Sequence, residues 1–582
     1  MYIDIVPNRT SAPAILLRES YRGEDGKVKK RTLANLSALS LEQAHKLRKV
    51  LQGGDVSDQP LKEVFEILQT RAHGHVAAVL GVINQLKFPA VLGRGDCEER
   101  RNALALIAGR ILSPGSKLAL SRELTGSAST LSTELGLADD LDENDLYLAM
   151  RWIWERQAKI QQRLAKKHLN EGSVILYDLS SSYYEGAHCK LARRGYNRDG
   201  KKGKTQINYG VMTNEQGCPI AIEVYPGHES DPNTVPDQLR KLRDQFGLKN
   251  VTVVGDRGML TSRQLELAQT DETLSDFSWI SALRSDQIKS LLDAGTIQLE
   301  LFDQRALAEV TSDDFPDERL VVCRNPELAI KRARTREALL AKTKETLDLI
   351  VTAVHRKKNP YTGKDKIARR IEREASKYKM LKHFELNIGE SSFSYQPLEE
   401  LIAKEARLDG FYVIRARNIE AQTMDEKQIV ATYKSLSGVE RVFRNMKTST
   451  LKVRPIFHRE SDMVRAHIFI CMLAAHVQWH MQHALKELLF NDEALEIQKE
   501  QRPSPVDKTE RSESAKRKSA NKKTPQGLLV QSFNTLLKEL GSLSKSTCKA
   551  NIAGAPTFEK ISLPTPLQLR AFELLNLPIP KV

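Results

Sequence analysis

The sequence predicts an α/β protein whose central sheet opens in the order β-β-β-α-β, and three observations carry that prediction. The first is residues 174–177, Val-Ile-Leu-Tyr, a continuous apolar run of the kind a strand buried on both faces needs. The second is a pair of alternating runs, 206–213 and 219–225, joined by Asn214-Glu215-Gln216-Gly217, which reads as a hairpin. The third is an amphipathic helical pattern at 236–246, stopped by Gly247 and followed by a second apolar run at 251–254.

Three antiparallel strands, a crossover helix and a parallel strand are the start of a ribonuclease-H-like fold. At 582 residues the chain exceeds one ordinary hydrophobic core, so further domains are expected around it. Residues 1–40 alternate apolar and polar in short runs about Gly23-Glu24-Asp25-Gly26 and form a small β-rich N-terminal unit. Residues 41–170 turn helical, with periodic stretches at 41–51, 61–70, 76–86, 98–112 and 145–169 broken by Pro89, Gly93 and Pro114-Gly115. The first part of the core, 171–285, also holds a helix at 262–269 and a strand at 277–282. Residues 286–406 leave the alternation, with short β-like pieces and then charged helices at 326–344 and 364–381, and read as an insertion domain. The core resumes at 407–490 with a strand at 411–414 and helices at 425–447 and 462–488. In the remainder, 491–582, residues 499–525 carry nine Lys/Arg against four Asp/Glu among Pro and Ser and read as a flexible basic linker before a helical tail, with a helix at 527–540.

Composition narrows the partner. With 89 Lys+Arg against 74 Asp+Glu the net charge is +15, which favours a polyanion, nucleic acid above all. Six cysteines without a C-x-x-C pair fit reduced thiols in a cytoplasm and give no zinc finger. The N-terminus lacks the apolar core of a signal peptide, and the longest apolar stretch, 468–477, is interrupted by His476 and falls far short of a bilayer span. A cytoplasmic protein with no membrane partner is expected.

Asp178 and Asp256 each follow an apolar run expected to be a strand. If those strands are neighbours, two short carboxylates emerge at one edge of the sheet. Cutting or transferring a phosphodiester needs an activated oxygen nucleophile and a stabilised leaving oxygen, which two Mg²⁺ ions about 3.5–4 Å apart supply, held by carboxylate oxygens. A third carboxylate has to reach in from another element. Glu440 lies in a helical pattern with Tyr433 seven residues before it and Lys447 seven after, which puts the three on one helix face beside Ser437 and Arg444. Taken singly, an Asp after a strand is more often a cap or turn residue. The conjunction of strand order and three acids is what bland folds do not produce.

These residues sit in segments that resemble the DDE insertion-sequence transposases of the IS-four superfamily, and most of all their sixteen-thirty-four group. The segments are Tyr177-Asp178-Leu179-Ser180-Ser181-Ser182, Gly195-Tyr196-Asn197-Arg198-Asp199-Gly200, Val254-Gly255-Asp256-Arg257-Gly258-Met259, and the run from Tyr433 to Lys447. That run follows the family's Y-x2-R-x3-E-x6-K signature, with Leu436 where the arginine is usual. Arg454-Pro455-Ile456-Phe457-His458-Arg459 and Ala466-His467-Ile468-Phe469-Ile470-Cys471 extend the resemblance, which covers roughly residues 1–485. It implies that Asp178, Asp256 and Glu440 bind Mg²⁺, or Mn²⁺ in its place, and that Tyr433 and Lys447 contact phosphates of the element's end. Arg441 or Arg444 then stands in for the arginine that Leu436 replaces.

The loop between the first two strands brings Arg198, Lys201, Lys202 and Lys204 together as candidate phosphate ligands, against the plainer alternative of a solvated turn. His476 and His480 have the i, i+4 spacing of a helical metal pair, but Val477 replaces the glutamate of a zinc protease and no third ligand is evident nearby, so no zinc site is expected. The expected activity is metal-dependent cleavage of double-stranded DNA at terminal inverted repeats and strand transfer into target DNA, by a homodimer or higher oligomer. The alternatives on the same fold are a DNA-structure-selective nuclease and a catalytically silent DNA-binding descendant. The helical domain 41–170 is the expected DNA-binding domain.

Overall fold

The computed structural model describes residues 1–9, 11–23, 27–53, 65–126, 128–196, 198–201, 203–259, 277–298, 302, 305–551 and 554–581. They fall into two compact units, one of residues 1–156, 477–491 and 517–582, the other of residues 157–476 and 492–516. Among the described residues no single helix is long and apolar enough to cross a membrane.

The first unit opens with β1 (Tyr2–Val6), β2 (Ala14–Arg22) and β3 (Val28–Asn35), an antiparallel meander covered by helix Leu41–Leu51. Ser40 starts that helix by a reciprocal cap. Its hydroxyl accepts from the Gln43 amide, and the Gln43 side chain accepts from the Ser40 amide. Ile3, Ile15, Leu39 and Ala44 form the small core between sheet and helix. A helix was expected at 61–70, but Phe65–Ala72 is a strand, β4, and 61–64 lie outside the described residues. The reason is distant pairing: β4 bonds to β15 (Ser544–Ala550), which bonds in turn to β16 (Thr557–Ile561). Local periodicity cannot register partners so far along the chain. The expected helical tail therefore also contains a hairpin, between helices Phe533–Gly541 and Pro566–Leu574. The helix expected at 145–169 is two, Glu143–Glu155 and Gln157–His168, and the second goes with the other unit, where Gln157 and Gln161 donate to the Ile222 carbonyl.

The second unit is a mixed α/β structure on one large sheet. Its strands are β5 (Val174–Tyr183), β6 (Gln206–Asn214), β7 (Pro219–Pro226), β8 (Thr252–Gly255), β9 (Ser278–Ala282), β10 (Leu307–Val310), β11 (Glu318–Arg324) and β14 (Phe411–Arg417). Their order across the sheet is β10-β11-β14-β9-β8-β5-β6-β7. β5, β6 and β7 are antiparallel neighbours, while β8 lies parallel to β5 and β9 parallel to β8. The expected order of elements is thus present, with helix Asp231–Arg240 as the crossover. The helix expected at 262–269 lies outside the described residues.

Two differences bear on the site. β5 does not end at Asp178 but runs on to Tyr183, because β6 pairs with it along its whole second half, from Asp178 opposite Val211 to Tyr183 opposite Gln206. The block expected to be an insertion also begins inside the sheet, since β11 pairs with β14. The autonomous part is helices Pro326–Val354 and Lys364–Ala375 with a hairpin of β12 (Phe384–Ile388) and β13 (Phe393–Pro397). It has its own core of Leu347, Ile350, Ile367, Ile371, Phe384 and Phe393. The stretch expected to be a flexible linker is ordered in part against this unit: Val506 is buried and its carbonyl accepts from Asn325 Nδ2 at 3.0 Å and Lys434 Nζ at 2.9 Å. Its Pro and basic residues hid these backbone bonds.

Gly210, in the middle of β6, faces the fully buried Tyr177 ring, and a Cβ there would stand 2.2 Å from the tyrosine oxygen and 2.6 Å from the ring. Tyr177 Oη is itself fixed by donating to Thr234 Oγ1 at 2.9 Å. Gly210→Ala is therefore expected to destabilise the protein by about 1–3 kcal/mol through overpacking, measured by urea unfolding, whereas Gly258→Ala, whose Cβ meets nothing within 4 Å among the described residues, should leave the transition unmoved.

Candidate active site

The parallel pairing of β5 with β8 sets the site. Tyr177 stands opposite Gly255, so Asp178, within β5, and Asp256, just past the end of β8, are the next residues along the two segments. In-register residues of neighbouring strands project from the same face, which places the two carboxylates side by side. Each is anchored in the same way. Asp178 Oδ1 accepts from the Leu179 amide at 2.8 Å, and Asp256 Oδ1 from the Arg257 amide at 2.7 Å.

Asp178 is partly exposed at its surface but packed closely below, and its carboxyl is pushed up to about 7. Burial is the main cause, with the Asp256 charge adding to it, while the Leu179 amide and the Arg198 guanidinium act the other way. An all-carboxylate pair short of positive charge fits a hard divalent cation.

Tyr433 comes over this pair from helix Glu426–Lys434, donating its hydroxyl to Asp256 Oδ1 at 3.2 Å. Burial, and then the Asp256 charge, holds its phenol well above the ordinary range. Glu440 is not on the same helix. The stripe expected over 425–447 is divided into helix Glu426–Lys434, helix Ser437–Arg444 and a wider π turn, Asn445–Ser449, so seven-residue spacing no longer defines one face. The break at 435–436 lets the second helix settle on β5 and β6 by its own apolar face, Val439, Val442 and Phe443. Phe443 meets Tyr209 edge to face at 5.9 Å. Gly438 lies against the turn between β6 and β7, where a Cβ would come 3.1 Å from Gly217 Cα. Glu440, Arg441 and Arg444 remain exposed on the other side of the helix, and Leu436 sits at its N-cap.

The expected phosphate ligands take several different positions. Lys447 turns inward to Asp199, Nζ to Oδ1 3.2 Å, and Arg454 reaches the same oxygen at 2.5 Å. Asp199 also accepts from the Tyr183 amide through Oδ2 at 3.1 Å and is almost wholly buried. Arg198 is paired with Asp231 at the start of the crossover helix, Lys204 with Glu185, and Lys201 lies 5.8 Å from the Tyr183 ring centre. Lys202 is outside the described residues. The basic loop is thus in good part a folded ion-pair network behind Asp178, and the residues sequence reasoning missed are its acids, Asp199 and Asp231. The signal was present: a lone Asp in a run of Arg and Lys, and Arg454 in a segment already singled out.

Residues 170–477 match a family model described as the transposase DDE domain, and residues 3–61 one described as the N-terminal domain of IS1634 family transposases. No curated protein matches the chain. A solved structure described as a piggyBac transposase synaptic complex with hairpin DNA aligns over 77% of this chain and 71% of its own, at 11% identity and a TM-score of 0.33.

Two outcomes follow from this geometry. A carboxyl whose folded value lies above its unfolded value of about 3.9 stabilises the fold while protonated, and that contribution is lost as pH rises through about 7. Without divalent cations the wild type should therefore lose melting temperature progressively between about pH 4 and 7 relative to Asp178→Asn and level off above that, and Mg²⁺ at pH 8 should raise the wild type alone; parallel profiles would contradict the account. Asp199→Ala leaves Lys447 and Arg454 without their shared counter-charge and should cost about 3 kcal/mol in urea unfolding, the lower end for breaking a buried pair.

Proposed function

The chain belongs to the DDE transposase family, in the IS1634 group, and we propose that Asp178, Asp256 and Glu440 are the acids with which it cuts and joins DNA. As a transposase it is an enzyme of DNA transposition, and DNA is its partner. The observation that carries the proposed site is the register of Asp178 with Asp256 on adjacent parallel strands, with Tyr433 donating to the second. The order β7-β6-β5-β8-β9, with the first three antiparallel and the rest parallel, supports a ribonuclease-H-like core.

Members of the family use divalent metal ions. For this chain the carboxylate donors fit two Mg²⁺, with Mn²⁺ able to substitute, and bound there the cations supply an activated oxygen nucleophile and neutralise the leaving oxygen. The residues do the remaining work. Asp178 holds a proton near neutrality until a cation takes its place. Tyr433 fixes the orientation of the Asp256 carboxylate by donating to Oδ1. Glu440 is offered from a helix seated on β5, which carries Asp178, and on β6, and Arg441 and Arg444 face outward beside it to receive a phosphate backbone. Asp199 holds Lys447 and Arg454 on one carboxylate oxygen.

In this reading the helical region of residues 41–170 recognises the terminal inverted repeats, and a dimer or higher oligomer holds the two ends while one strand is hydrolysed and the freed 3′-OH attacks target DNA. The enzyme acts in the cytoplasm, in keeping with six cysteines none of which is in a disulfide. The test is excision and joining on a plasmid carrying the element's own ends, with Mg²⁺ or Mn²⁺. Asp256→Asn and Glu440→Gln are each expected to abolish both steps, at least a hundredfold, while retaining binding to the ends. Full activity in either variant would remove that residue from the site, and cleavage without joining by the wild type would make the protein a nuclease.

A further inference from the structure

Cys218 closes the turn between β6 and β7, its amide held by Asn214 Oδ1 at 2.9 Å and its side chain fully buried. Facing it are His168, the last residue of helix Gln157–His168, and His476, on helix Ser461–Ala484 and 1% exposed. One ligand atom from each of these three lies within 4.8 Å of the others. Cys218 Sγ is 3.5 Å from His476 Nδ1, and the two imidazoles meet edge to face with centres 4.9 Å apart. A tetrahedron built on Zn–S and Zn–N bonds has edges of about 3.5 Å, so ligand atoms within 4.8 Å of one another can close around an ion by side-chain rotation; the Sγ–Nδ1 contact is not one of those edges.

The tautomer of His476 is fixed by its neighbour. Nδ1 lies 2.8 Å from the Pro219 carbonyl oxygen, which can only accept, so Nδ1 carries the proton and Nε2 carries the lone pair. A histidine that binds a metal through one nitrogen while the other donates to a backbone carbonyl is the usual arrangement around a ligated ion.

We infer that His168, Cys218 and His476 form a structural site for a zinc-class cation, separate from the carboxylates. Thiolate and imidazole select such an ion over Mg²⁺, and the carboxylates select the reverse, so the two sites do not compete. Sequence spacing showed only the His476–His480 pair. His168 and Cys218 come from a helix end and a hairpin turn hundreds of residues earlier.

The location gives the site a purpose. Gly217, next to Cys218, adopts φ +83° and touches the backbone of Gly438, two residues before Glu440. Clamping this turn to two helices fixes the surface on which the Glu440 helix rests. That consequence rests on the proposed role of Glu440; the metal site itself does not.

The test is metal content and cobalt spectroscopy on the full chain, purified from zinc-supplemented cells without a polyhistidine tag. About one zinc per chain is expected by mass spectrometry, retained in Asp178→Asn/Asp256→Asn and lost in Cys218→Ser/His476→Gln. Should the second pair of substitutions unfold the protein, the wild type decides alone. After chelation, Co²⁺ should give tetrahedral d–d absorption with a thiolate-to-cobalt charge-transfer band. An octahedral cobalt spectrum without that band, or zinc retained by a folded Cys218→Ser/His476→Gln variant, overturns the site. Zinc bound with the cobalt band present, but with activity indifferent to chelation, would keep the site and discard its link to Glu440.

Discussion

Two carboxylates held in register on adjacent parallel strands are the constraint on which the rest of the catalytic unit depends. Backbone pairing of Tyr177 with Gly255 brings Asp178 and Asp256 to the same edge, where burial and the neighbouring Asp256 carboxylate oppose the charge of Asp178. No side-chain rotation relieves this, because the spacing belongs to the sheet. The pair is a standing electrostatic deficit, of the kind the proposed divalent cations would satisfy, and the neighbouring elements respond to it: Tyr433 donates to Asp256, and Arg198 draws Asp178's carboxyl back toward its ionised form.

The strand that carries Asp178 continues past it to Tyr183, and that extension organises the positive side of the site. At its far end the Tyr183 amide donates to Asp199, which collects Lys447 and Arg454 onto one oxygen. A buried acid with two cations leaves a net positive group, and its position is set by main-chain bonding instead of by flexible lysine stems. Lys447 is thereby held ready at little further loss of side-chain entropy. The exposed Arg441 and Arg444 differ, since they rest on a helix whose inner face alone is packed.

Much of this was legible in the sequence, for identifiable reasons. The sheet order could be read because β5 and β8 are buried on both faces and so appear as unbroken apolar runs, and Asp178 and Asp256 could be singled out because each interrupts such a run. The length of β5 was hidden, since Leu179-Ser180-Ser181-Ser182 looks like a loop until β6 is laid beside it. The helix around Glu440 was legible as a helix but not as two, because the break at 435–436 answers to the sheet surface beneath Val439 and Phe443. Strand β4 was misread as helical for the same kind of reason, its partner β15 lying beyond the reach of any local pattern.

The segment after residue 491 shows how charge can disguise structure. Its lysines and arginines suggested a solvated linker, yet residues 492–516 belong to the catalytic unit, and what binds them is largely main chain. Lys434 Nζ donates to the carbonyls of Pro505 and Val506, and Asn325 donates to Val506 as well. Burial draws the Lys434 ammonium down to about 8. Tyr433, immediately before it, reaches Asp256. The same helix end is therefore held at two consecutive residues, by a carboxylate of the site on one side and by the returning chain on the other. A segment with the composition of a tether acts as a strap on the helix end from which the tyrosine meets Asp256.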